Sequence, residues 1–372
     1  MDPHRTLSLR SRKVEASGIR KFFDLASRLK DPCDLSIGLP DYDVPESVKE
    51  AAIRAIRQGH NRYTPSAGLV ELREKIKRDI GRHAAFDGDV LIVSGVSGGL
   101  TLALLAVVNP GDDVIFLDPY FVSYLHLVNL AEGTPVPVPS YPDFSFDAEN
   151  IEKAVTPRTK AILINSPGNP TGRVMPATEV RAAVDIARRH DLLLVSDEIY
   201  EKLCYDGDSP SPLALAPERT LCLRGFGKTY GMTGWRMGYA AGPPWLIDAM
   251  TKLHQYTYVC APSIAQYATL TALDTDVACH RRDYSAKRDL VCRLLDRNFE
   301  FQRPGGGFYV FPRAPRRFVS ATAFCEAAAA ENVLVIPGNI FSATDSHFRI
   351  SYATTDEMIR RGCDVLCRLA GA

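Results

Sequence analysis

The sequence predicts an α/β fold: a three-layer sandwich with a mostly parallel central sheet, joined to a smaller α+β domain built from both chain ends. Three observations carry this. Short runs that are apolar throughout recur at 90–93, 114–117, 134–138, 160–164, 192–195, 220–223 and 238–241; such strands are buried on both faces, as in parallel sheets. Helical patterns, Ala177–Arg189 among them, separate the runs, which is the alternation expected of βαβ units. The length of 372 residues exceeds one ordinary core and suggests two compact units.

Taken in order, the run 90–93 reads as a strand and Gly95-Val96-Ser97-Gly98-Gly99 as a loop, followed by an apolar helix over 99–108. The remaining strands and helices alternate to about residue 275. What lies before Pro45 and after Thr275 reads differently. There the chain carries a charged helical pattern over 281–297, a Pro304-Gly305-Gly306-Gly307 turn into the apolar run 308–311, and an Ala-rich helix at 326–331. We therefore expect a large domain over 46–275 and a small one from 1–45 and 276–372.

Composition narrows the partners. Forty-four basic residues balance 44 acidic ones, so nothing global attracts nucleic acid or an anionic membrane, and any anion site must be local. Nine cysteines without a CxxC pair read as reduced thiols of a cytoplasmic protein; Cys363 and Cys367 lie one helical turn apart, but with no nearby histidine we expect no metal. No apolar run is long enough to span a bilayer. The first 13 residues carry four basic side chains and no apolar segment, as expected of a flexible arm rather than a secretory signal, with a transit peptide left open.

In parallel sheets, ligands gather beyond the carboxyl ends of the strands. The conspicuous polar residues fall there. Lys228 sits in a glycine-rich loop, Gly225-Phe226-Gly227-Lys228-Thr229-Tyr230-Gly231-Met232-Thr233-Gly234-Trp235-Arg236, where Phe226, Met232 and Trp235 imply burial. A buried ammonium is costly unless it is paired, loses its proton or becomes covalently engaged, and a Schiff base with an aldehyde resolves the cost. Asp197 closes the run 192–195: a buried carboxylate that needs a cation, or a helix N-cap. Gly95, Val96 and Ser97, between a strand and a helix, offer backbone N–H groups and a hydroxyl to an anion, and Arg236 a planar cationic fork. Taken singly, Asn169 is ordinary turn chemistry, and Tyr200 and Phe121 are ordinary core residues.

Together, Asn165-Ser166-Pro167-Gly168-Asn169-Pro170-Thr171-Gly172, Ser196-Asp197-Glu198-Ile199-Tyr200, the lysine–arginine stretch and Phe348-Arg349-Ile350-Ser351-Tyr352 resemble, in this order, the pyridoxal-phosphate aminotransferases of the aspartate/aromatic type, class I/II. The likeness runs over about residues 19–352 and implies the fold type I architecture. It implies pyridoxal 5'-phosphate as cofactor and amino-group transfer from an L-amino acid to a 2-oxo acid, with 2-oxoglutarate the expected acceptor. By resemblance, Lys228 forms the Schiff base and moves the α-proton, and Asp197 keeps the ring nitrogen protonated. Tyr200 and Asn169 donate to the phenolic oxygen, and Phe121 lies against the ring. Val96, Ser97 and Arg236 hold the phosphate, as does Tyr63 from a neighbouring subunit, which implies a homodimer with shared sites. Arg349 grips the substrate α-carboxylate, with Gly38 and Asn169 beside it.

Two departures stand out. Gly225 and Gly227 replace hydroxyl residues frequent in relatives, and Ser97 stands where some dicarboxylate-specific relatives carry lysine. The donor's side chain, aspartate-like, aromatic or broad, is left open. A β-lyase of the same fold is the alternative enzyme. A cofactor-binding regulator is the alternative outside catalysis, although no basic helix-turn-helix pattern accompanies it.

Overall fold

The computed structural model describes residues 3–14, 18 and 30–371; Ile19, the start of the resemblance, lies outside them. The strands are β1 (Cys33–Asp34), β2 (Asp89–Ser94), β3 (Asp113–Asp118), β4 (Thr134–Pro139), β5 (Thr159–Asn165), β6 (Leu193–Asp197), β7 (Thr220–Gly225), β8 (Met237–Gly242), β9 (Tyr309–Val310), β10 (Val333–Leu334), β11 (Ile336–Pro337) and β12 (Phe348–Ser351). Seven of them form one sheet in the order β2-β8-β7-β6-β5-β3-β4. Its neighbours pair in parallel except β8, which runs antiparallel to both β2 and β7. All seven strands read from the sequence are present.

Side-chain alternation explains why these runs carry no polar face. In β5, Ala161 and Leu163 enter one core with Val195, Leu193 and the helix Gly95–Val107. Ile162 and Ile164 enter the other, with Leu194 and the helix Ala177–Arg189. Successive residues point to opposite faces, so a strand covered on both must be apolar at every position. Around β3 the connections change direction, to β4 on one side and β5 on the other, which opens a crevice at the carboxyl ends of β3 and β5.

A further core forms around Phe308, Phe324, Phe348, Ile350, Val291 and Leu295. It is assembled from the sheet β11-β12-β9, the pair β1-β10, and the helices Ala278–Leu295, Ala321–Ala330 and Asp356–Gly371. In the last helix, Ile359, Cys363 and Leu366 are buried at spacings of four and three, the apolar stripe that docks it. Cys33 of β1 pairs with Val333 of β10, so the two ends of the chain meet here.

Two sequence expectations need correction. The helix after β2 begins at Gly95, not Gly99: Gly95 turns the chain straight out of the strand at φ +70°, and Gly99 lies within the helix where a Cβ would come 2.9 Å from Leu223, so the glycine there serves close packing rather than a loop. Lys228 lies in a one-turn helix, Phe226–Thr229, rather than in a loop. Within the stretch read as an N-terminal arm, Leu9–Lys13 is a short helix capped by Ser8, and Arg10 pairs with Glu132 at 3.6 Å. Among the described residues no helix is long and apolar enough to cross a membrane.

Candidate active site

A cavity of about 390 Å³ opens at the carboxyl ends of β5, β6 and β7, roofed by Gly38 from the chain start and Tyr309 and Arg349 from β9 and β12. Gly38, Val96, Ser97, Phe121, Asn169, Asp197, Tyr200, Lys228, Arg236 and Arg349 all line it. Tyr63 does not. It is 83% exposed and sits beside Tyr258 and Cys260 in a separate surface depression.

Asp197 is the last residue of β6 and is buried. Its Oδ2 accepts a hydrogen bond from Tyr124 Oη at 2.7 Å, and its Oδ1 one from the Ile199 N–H at 3.2 Å. Burial outweighs these two donors and pushes the carboxyl up to about 6. Lys228 approaches from the end of β7, half-buried, with its ammonium donating to Gly38 O. Burial first, then the positive charges of Arg349 and Arg236, pull its pKa down to about 8.

Arg349 on β12 is almost wholly enclosed, at 2% exposure, with its guanidinium between the rings of Tyr309 (4.5 Å) and Phe341 (4.7 Å). Nη1 donates to Asn169 Oδ1 at 3.0 Å and Nη2 to Ser36 O at 2.7 Å. Nε has no partner among the described residues. Both acceptors are neutral oxygens, so the cation retains unmet demand for an anion.

On the opposite wall, Arg236 takes the left-handed conformation (φ 55°, ψ 49°) and donates to Thr233 O at 3.1 Å. Its guanidinium lies against Gly95, where a Cβ would come within 2.6 Å of Nη2, so only glycine lets the arginine reach the first turn of the helix Gly95–Val107. The cavity thus has a cationic fork beside a helix N-terminus at one end and a second fork at the other, with the carboxylate and the amine between them.

The chain matches known proteins over nearly its whole length. The sequence profile of the family described as aminotransferase class I and II matches residues 30–366. The chain belongs to that family. It is 40% identical over 388 residues to the aspartate/prephenate aminotransferase of Thermus thermophilus, covering 100% of this chain and 97% of that one. It is 38% identical to the aromatic-amino-acid aminotransferase 2 of Thermococcus litoralis, covering 96% of each. Among solved structures, aspartate aminotransferase from Thermus thermophilus with maleate superposes with a TM-score of 0.95 at 38% identity, covering 98% of this chain and 100% of that one. The protein is therefore an enzyme that transfers an amino group between an amino acid and a 2-oxo acid.

Several site residues of this aminotransferase escaped the sequence reading. Tyr124, partner of Asp197, sits one helical turn after Phe121 and bonds its carbonyl through the backbone at 2.9 Å; the i, i+3 spacing was a usable signal. Tyr309 faces Tyr200 Oη at 3.2 Å and packs on Arg349. Asn165 fixes the turn that carries Asn169, through Oδ1 to the Asn169 N–H at 2.8 Å and Nδ2 to Asp197 O at 2.9 Å. Behind the site, Glu198 accepts from Arg224, Ser196 and Ser211, satisfying a buried charge next to Asp197.

Proposed function

We propose that this aminotransferase works with pyridoxal 5'-phosphate held in the 390 Å³ cavity. The observation that carries the reading is the pairing of a buried carboxylate, Asp197, with an amine of lowered proton affinity, Lys228, in one enclosure bounded by Arg236 and Arg349. The donor set fits the group. A carboxylate raised to about 6 by burial calls for a cationic N–H, and Arg236 with the first turn of the helix Gly95–Val107 suits a phosphate. Arg349, with its free Nε, suits a carboxylate.

When bound, the cofactor supplies an aldehyde for an amine and a ring that takes up electrons released at the substrate Cα. The chain's residues do the rest. Lys228 would hold the cofactor through its aldehyde and, as a free amine, would move the proton at the substrate Cα as general base and acid; an amine near pKa 8 is suited to both directions. Asp197, steadied by Tyr124, keeps the proton on the ring nitrogen. Tyr200 and Asn169 donate to the phenolic oxygen, Phe121 walls the ring, and Val96, Ser97 and Arg236 bind the phosphate. Arg349 orients the substrate through its α-carboxylate, with Gly38 and Asn169 beside it.

The same reading takes the chain as a large domain, 46–275, and a small one, 1–45 with 276–372, whose boundary crosses the cavity. It also takes the working unit as a homodimer in which Tyr63 completes the partner's phosphate site; the high exposure of Tyr63 supports this. Nine free cysteines suit a reducing, cytoplasmic compartment.

The test is a half-reaction screen. With each amino acid added alone to cofactor-loaded protein, the donors should bleach the visible absorbance, and a 2-oxo acid should restore it with one new amino acid formed per site. Release of ammonia and pyruvate with no new amino acid would contradict the reading.

A further inference from the structure

The lysine-bearing turn has a fastening that none of the motifs predicted. Phe226–Thr229 is a single helical turn, so the carbonyls at its end have no following helix to accept from. Tyr42 meets them: its hydroxyl donates to Lys228 O at 2.7 Å and lies 3.1 Å from Thr229 O. Four residues earlier, Gly38 O accepts from the Lys228 ammonium. One segment therefore holds the lysine at both ends, by its backbone and by its head.

That segment is itself anchored. The Tyr42 ring stacks on His280, with centroids 3.6 Å apart and planes 9° from parallel. Tyr284 Oη donates to Asp41 Oδ1 at 2.9 Å and accepts from the Asp41 N–H at 3.2 Å, and Lys287 pairs with Asp41. All three anchors stand on the helix Ala278–Leu295. On the other side, the backbone at Gly231 (φ +67°) comes so close that a Cβ would lie 2.9 Å from Tyr42 O. Burial drives the Tyr42 phenol far above its ordinary pKa, so it stays a neutral donor throughout the working pH range.

We propose that Tyr42 is a positioning residue for Lys228: its hydroxyl pins the backbone of the lysine turn to the helix Ala278–Leu295, fixing the pivot from which the amine swings. The inference rests on Lys228 being the reacting amine. An amine that must leave one carbon and reach a proton on another needs a fixed root, because small displacements of a reacting group cost much of its rate.

The test is Tyr42→Phe, which keeps the ring stack on His280 and removes only the hydroxyl. In cofactor-free protein, amide exchange across residues 226–232 should quicken relative to wild type while the rest of the chain is unchanged. In the loaded enzyme, kcat should fall roughly 3–10-fold, as expected for one lost hydrogen bond, with KM for the amino acid unchanged. Unchanged exchange at 226–232 overturns the proposal, whether or not the melting temperature falls. So does quickened exchange with unchanged kcat. Borohydride reduction of loaded Tyr42→Phe separates the two layers: a label on Lys228 with no change in exchange or kcat rejects the role of Tyr42 alone. A label on another residue rejects the reading beneath it.

Discussion

Asp197→Asn in the cofactor-free protein isolates the cost of holding a carboxylate ready for a cation. Burial raises this carboxyl from its ordinary 3.8 to about 6, against the opposing pull of the Tyr124 hydroxyl and the Ile199 amide. A folded pKa above the unfolded one means that the native state holds the extra proton. Its contribution is present in full below about pH 4 and is lost as pH rises through about 6. At about 1.36 kcal/mol per pKa unit, wild type should lose about 3 kcal/mol relative to Asp197→Asn over that window, since asparagine does not titrate. Urea unfolding of both proteins at a series of pH values reads this directly. The variant should gain on wild type between about pH 4 and 7 and level off above. Saturating pyridoxal phosphate should then reverse the order, because the cationic ring nitrogen compensates the carboxylate only in wild type. A stability difference that stays constant across the window would refute the reasoning.

Other outcomes follow from the same geometry. Arg349→Lys keeps a charge but loses the fork that bonds Asn169 and Ser36, so affinity for every α-carboxylate substrate should fall by about 1–3 kcal/mol; an effect confined to one amino acid in the half-reaction screen would contradict its role. The Lys228 amine of cofactor-free protein should react with aldehydes along a pH curve centred near 8, and a midpoint at the ordinary 10.5 would show that burial and the two arginines do not act on it. Gly227→Ser should fold normally, because the nearest atom to a Cβ there is 3.6 Å away. Gly225→Ser, whose Cβ would lie 2.7 Å from Ile199 Cδ1, should lower the melting temperature, by roughly 1–3 kcal/mol of overpacking. Equal melting temperatures for the two would contradict this account of why glycine stands at 225.

The sheet was legible because a strand buried on both faces must be apolar at every position, and Ala161–Ile164 and Leu193–Val195 carry that requirement openly. The candidate site was legible because Asp197 ends an apolar strand run and Lys228 follows another within one turn, each placing a charge at the carboxyl edge of the sheet. The start of the helix at Gly95 was not. A glycine run looks like a loop unless one knows that Arg236 and Leu223 press against it. Tyr124 and Tyr309 were hidden for another reason: a tyrosine in an apolar stretch reads as core, and only its hydroxyl's partner, far away in sequence, makes it part of the site. Tyr42 was hidden in the same way, its target lying 186 residues on. Tyr63 lies outside the cavity and is exposed, so its proposed role was legible only through the family resemblance.

Reduction of the loaded protein with borohydride, followed by digestion and mass mapping, tests the central claim most directly. The cofactor mass should appear on the peptide containing Lys228 and vanish in Lys228→Ala, while Asp197→Asn keeps the link. A label on any other lysine, or a reducible link that survives Lys228→Ala, would contradict the account.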